Sequence, residues 1–203
     1  MSSNNNQNSK KNEITSIRFG IIIQNSSLVK INELFELYFQ KSNPIVIKKE
    51  KIEYEFSPNE NKDLRLIFNI LTDDVMKNIQ QIYSSFNFYI IFMDIQNSSA
   101  LKNLEKDINK LISCSDDILT KFYIFGVFQE EDLIVIKDEK ISTILNCKGI
   151  DFEYSELNIN SIEDFPKGME YIIDETKEFL EEQKSQEKID KMEEGKQKSC
   201  NIF

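Results

Sequence analysis

The chain has 203 residues, 40% of them hydrophobic, which suits one domain with a core of ordinary size and short appendages. Its formal charge of −10 argues against a general nucleic-acid binder, which needs a basic face, and gives no broad attraction to anionic lipid. With no histidine, imidazole acid–base catalysis, Ser-His triads and the commonest metal ligand are excluded.

The first thirteen residues, MSSNNNQNSKKNE, are polar and low in complexity, so residues 1–13 are expected to be a disordered arm. They lack the apolar core of a secretion signal, and Ser2 stands where N-myristoylation requires glycine. Ile17, Phe19, Ile21 and Ile23 then alternate as in a buried strand. Past a short polar turn, Ile31, Leu34, Phe35 and Tyr38 fall at the spacing of a core-facing helix, which Ser42–Pro44 ends. Ile52, Tyr54 and Phe56, then Leu64, Leu66, Phe68 and Ile70, alternate on either side of the turn-forming SPNEN and predict a hairpin.

Val75–Tyr83 is compatible with a helix. Phe88–Ile95 is a continuous apolar run, typical of a central strand covered on both faces and far short of the roughly 20 residues of a bilayer span. Leu101, Leu104, Ile108 and Leu111 lie on one helical stripe behind a serine cap candidate. Lys121–Phe128 is a second buried strand, Ile141, Ile144 and Leu145 suggest a short helix, and Ile150–Leu157 is a last strand. A capped helix begins near Ser161, carries Pro166 close to its start and ends the fold near Glu182. Beyond it the chain turns to charge, and residues 181–203 are expected to be a flexible tail. Strands alternating with helices behind a hairpin predict a three-layer α/β domain with a mostly parallel sheet. Cys114, Cys147 and Cys200 are odd in number and far apart, which fits a reducing compartment and no disulfide framework.

Over residues 14–180 this order of elements resembles a small G protein of the Ras superfamily, most like the Rab branch. The resemblance rests on several stretches. YIIFMDIQNSSALKNL (Tyr89–Leu104) is similar to the family's fourth-strand segment, in which an aspartate follows the apolar run and a Ser-Phe-like pair opens the next helix. EYSELNINSIEDF (Glu153–Phe165) resembles the Glu-Thr-Ser-Ala-Lys loop with its Asn-x-x-x-Val-Glu and Phe continuation, and YIFGVFQEEDL (Tyr123–Leu133) falls where the Asn-Lys-x-Asp guanine motif belongs. The resemblance implies the P-loop NTPase fold of small G proteins: a six-stranded, mostly parallel sheet with one antiparallel strand. It also implies GTP or GDP and Mg²⁺ as the family's ligands.

The motifs for that chemistry are thinned. Aligning Lys30 with the phosphate-loop lysine sets Gln24 and Val29 on the two glycines, whose backbone curls round phosphate, and Ile31 on the hydroxyl that ligates Mg²⁺. Ser26 and Ser27 could donate hydrogen bonds there. The family's effector-loop threonine falls near Ile45. Thr72 matches the threonine of Asp-Thr-Ala-Gly-Gln, with Asp73 and Asp74 out of register and the catalytic glutamine missing. Glu130 stands where the guanine-reading aspartate belongs, and Glu153 and Ser155 match the last loop. For each there is a plainer reading: an exposed helix-start lysine, turn serines, surface acids. Losing the two charge-assisted bonds to a guanine edge, at about 1.5–3 kcal/mol each, weakens binding roughly 10²–10⁴-fold.

The chain ends in Cys-Asn-Ile-Phe, a match to the C-a-a-X prenylation box at Cys200, with the terminal Phe favouring geranylgeranyl. Lys184, Lys188, Lys191, Lys196 and Lys198 are interleaved with Glu187, Asp190, Glu193 and Glu194, which dilutes a second, polybasic anchor. The expected function is therefore a Rab-like pseudo-GTPase, held peripherally on the cytosolic face of a membrane through a prenyl group on Cys200 and engaging protein effectors or scaffold partners, with no nucleic acid. A working GTP switch using Ser27, Lys30, Thr72, Glu130 and Ser155, and a soluble subunit of a larger assembly, are the alternatives.

Overall fold

The computed structural model describes residues 15–24, 28–41, 53–56, 64–71, 76–77, 79, 86–114, 120–161 and 163–200. Of these, residues 28, 29, 32, 39–41, 56, 183, 184 and 186–200 are described by backbone alone. The expected arm at 1–13, the turn holding Ser26 and Ser27, Ile45, the Thr72–Asp74 segment and Asn201–Phe203 lie outside the described residues. Contacts group the chain into two units, Met1–Ile159 and Asn160–Phe203.

The first unit is α/β. Its described strands are β1 (Thr15–Ile23), β2 (Glu53–Phe56), β3 (Leu64–Ile70), β4 (Phe88–Asp94), β5 (Lys121–Phe128) and β6 (Phe152–Asn158). They form a six-stranded sheet in the order β2-β3-β1-β4-β5-β6, with β2 antiparallel to β3 and every other pair parallel. The expected hairpin is the β2–β3 pair, with Tyr54 opposite Phe68 and the Arg65 guanidinium 2.9 Å from a Glu55 carboxylate oxygen. The described helices of this unit are α1 (Leu28–Lys41), α2 (Ala100–Ile112) and α3 (Asp138–Cys147).

Both faces of the sheet are covered, as the unbroken apolar runs of β4 and β5 require. On one face Phe35 of α1 meets Tyr54 in a stack and Phe92 edge-on, with ring centroids 5.6 and 5.8 Å apart. Phe19 stacks on Phe68 and Phe88 at 4.6 and 5.4 Å, and Phe92 on Phe125 at 5.1 Å, so an aromatic ladder crosses four strands. Successive strand side chains point to opposite faces. Tyr89, Ile91 and Met93 accordingly enter the other layer, a cluster with Leu104, Ile108 and Leu111 of α2 and Ile141 and Leu145 of α3. The helical stripe predicted for α2 is therefore its buried face, except that Leu101 is only half-buried and Ala100 takes the first core position.

The second unit contains α4 (Asp164–Cys200). Pro166 sits in its first turn, where a missing N–H costs nothing. Phe165, Met169, Ile172, Ile173, Thr176 and Leu180 are its buried positions, at helical spacing. Thr176 satisfies its buried hydroxyl by donating to the Ile172 carbonyl at 2.7 Å. The helix runs on past Glu182 to Cys200, through the stretch expected as a flexible tail. That stretch is rich in Glu, Gln and Lys, all good helix formers, and proline is absent from it.

Candidate functional site

Parallel strands bring their C-terminal ends to one edge of a sheet, and ligands of open α/β sheets bind where the strand order reverses. Here the reversal is at β1, flanked by β3 and β4. Gln24 is the first residue beyond β1. Its backbone N–H donates to the Phe92 carbonyl at 2.9 Å, and its side-chain Nε2 donates to Asp107 Oδ2 on α2 at 2.9 Å. The residue is 6% exposed, and its Oε1 is buried with no hydrogen-bond partner. A glutamine thus fills the place where the resemblance calls for the first phosphate-loop glycine.

The end of β4 is built into a second fixed structure. Asp94 Oδ1 accepts from the Gln96 N–H at 3.0 Å, closing an Asx-type turn. The Gln96 side chain then bridges to the end of β5: Oε1 accepts from the Gln129 N–H at 3.0 Å, and Nε2 donates to the Glu130 carbonyl at 2.8 Å. Ile95 completes the join, donating to the Val127 carbonyl and accepting from the Val135 and Ile136 N–H groups. The stretch aligned with the guanine motif is thereby held by protein groups, followed by a 3-10 turn at Glu131–Leu133.

The expected site residues fall as follows. Lys30 lies half-buried in the first turn of α1 and has an interaction partner. Ile31, on the magnesium-hydroxyl position, is fully buried in the core and offers no oxygen. Glu130 is exposed, just past β5, and its backbone carbonyl is taken by Gln96. Ser155 is exposed within β6, in register with Phe125, rather than in a strand-end loop. Glu130 is five positions beyond Phe125, so the two are not brought together. Ser26, Ser27 and Thr72 lie outside the described residues, and Cys200 is described only by its backbone, as the last residue of α4. Among the described residues no group of three His, Cys, Asp or Glu side chains is placed to hold a metal ion. Ile31 and the buried Gln24 fit neither Mg²⁺ nor a phosphate cradle in the way the family's residues do.

Sequence reasoning missed Gln96 and Asp107. Gln96 carries no local signal, because its partners lie 33 and 34 positions away. Asp107 does carry one: Asn103, Lys106, Asp107 and Lys110 repeat at helical spacing, a polar stripe beside the core-facing Leu104, Ile108 and Leu111. Compared with known proteins, the chain matches no family model and no curated sequence.

Proposed function

We propose that the chain is a Rab-like protein of the Ras superfamily that has lost nucleotide chemistry and works as an interaction module, prenylated at Cys200 on the cytosolic face of a membrane, in vesicle traffic or signalling. Gln24 carries the reading. Its side chain is buried and tied to Asp107, at a position where the family needs a glycine so that backbone can wrap a phosphate. The Gln96 bridge favours the same conclusion, since it occupies the backbone of Gln129 and Glu130. The order and direction of the strands are compatible with a small G protein. The terminal Cys-Asn-Ile-Phe supports the anchor, and among the described residues no helix is long and apolar enough to cross a membrane.

The test is the nucleotide content of protein isolated from its own source. After denaturation, far less than one GDP or GTP per chain is expected, and a stoichiometric amount overturns the loss of chemistry. Mass spectrometry of the same sample reads Cys200, and an unlipidated thiol there removes the membrane part of the proposal.

A further inference from the structure

β6 is an edge of the sheet, paired with β5 on one side. The parallel register shows which of its backbone groups are used. The Phe122 N–H donates to the Asp151 carbonyl and the Ile159 N–H to the Phe128 carbonyl, each at 3.0 Å. In a parallel ladder alternate residues of a strand bond to a given neighbour, so Glu153, Ser155 and Leu157 turn their N–H and C=O groups to β5. Those of Phe152, Tyr154 and Glu156 turn outward, and among the described residues they meet no partner. Ser155 and Glu156 point to opposite faces of the sheet, and both are exposed, so both faces are open at the middle of this edge. An open edge seven residues long and without proline is a template for another strand. Charge decides which strand it admits. Asp151, Glu153 and Glu156 lie along it in a chain with a formal charge of −10, so a second copy of this chain, or any acidic strand, is repelled and a basic one attracted. Phe152 and Tyr154, half-buried against the core, add apolar surface beside the same edge.

We propose that β6 takes up an antiparallel strand from a partner protein. Its main chain bonds to Phe152, Tyr154 and Glu156, two lysine or arginine side chains three positions apart lie beside Glu156 and Glu153, and apolar side chains lie beside Tyr154 and Phe152. The proposal goes beyond the reading above, because strand addition needs neither the loss of nucleotide nor a prenyl group. It is tested on the full chain with the peptide Val-Thr-Lys-Thr-Val-Lys-Val-Thr, whose antiparallel pairing sets its lysines opposite Glu156 and Glu153 and two valines opposite Tyr154 and Phe152. The control is the same peptide with glutamate for both lysines. Calorimetry should show saturable binding of the lysine peptide, and binding of the glutamate peptide weaker by about tenfold or more. Hydrogen exchange locates the bound strand: the Tyr154 and Glu156 amides should slow by about tenfold or more, while the Glu153, Ser155 and Leu157 amides, already bonded to β5, keep their rates. Glu153→Lys with Glu156→Lys should reverse the preference between the two peptides, a gain that a misfolded variant does not give. No binding of the lysine peptide, equal binding of the two, or binding that leaves the Tyr154 and Glu156 amides unprotected overturns the proposal. So does protection of those two amides in the free chain that is lost on dilution, which would make a second copy the occupant.

Discussion

Gly126 and Tyr154 share one space. A Cβ at position 126 would run into the Tyr154 hydroxyl and stand 2.9 Å from Ile95 Cγ2. Burial, followed by the neighbouring Glu156 carboxylate, keeps the phenol well above its ordinary pKa, so the hydroxyl stays protonated and faces Glu156 Oε1 at 3.4 Å. The Tyr154 ring is half-buried, whereas Ile95 is fully buried. Gly126→Ala should therefore cost about 1–3 kcal/mol in urea unfolding, as overpacked cores do. Adding Tyr154→Phe should return part of it, giving a coupling of about 0.5 kcal/mol or more, whereas strictly additive costs would mean the two do not compete for space. None of this is legible in the sequence, where Gly126 is one small residue in an apolar run. Its need for smallness comes from a strand that lies more than twenty residues further along the chain. Gln24 is the opposite case, since its polarity directly after a buried strand is visible in the sequence, and only its partner Asp107 is not.

The strands and helices themselves are largely legible. Period-two alternation locates β1, β2 and β3, and the unbroken apolar runs locate β4 and β5, because each pattern reflects directly which faces are covered. The far end of α4 is not legible as helix, because interleaved charge looks alike in a solvated helix and in a flexible tail. The joints between elements are hidden. Gln96 ties the ends of β4 and β5 by two hydrogen bonds to backbone, and its truncation should loosen that joint selectively. Gln96→Ala is expected to speed hydrogen exchange of the Gln129 amide by about tenfold, the equivalent of about 1.4 kcal/mol of local protection, while the Ile95 amide, bonded to Val127, keeps its rate. An unchanged Gln129 rate would show that the glutamine does not hold the loop.

At the scale of the molecule, a mostly parallel sheet is implied by the alternation of elements, and six strands with one of them antiparallel by the resemblance, while the strand order is read only from the structure. The site is only half legible. Lys30 and Glu130 lie beyond strand ends, while Ser155 lies within β6, in the stretch already read as a strand, and only its pairing with Phe125 is hidden, because a sequence does not display register. The proposed loss of nucleotide chemistry predicts that the chain as a whole is indifferent to nucleotide. Excess GTP with Mg²⁺, or removal of divalent ions by a chelator, should leave the melting temperature where it is. A ligand present at a hundred times its Kd would stabilise the fold by about 2.7 kcal/mol, a shift easily seen, and seeing it would contradict the loss of binding.

The central place of β1 also governs how the chain is made. β1 emerges early, yet its partners arrive late: Phe19 pairs with Phe68 on one side and with Phe88 on the other. At about 5–20 residues per second of synthesis, β1 waits several seconds or more for its second neighbour. Until β3 emerges both edges of this apolar strand are open, and one of them stays open to other nascent chains until β4 follows. Translation speed between Ile23 and Phe88, and chaperones acting in that window, therefore bear on the yield of folded protein more than on the stability of the finished fold.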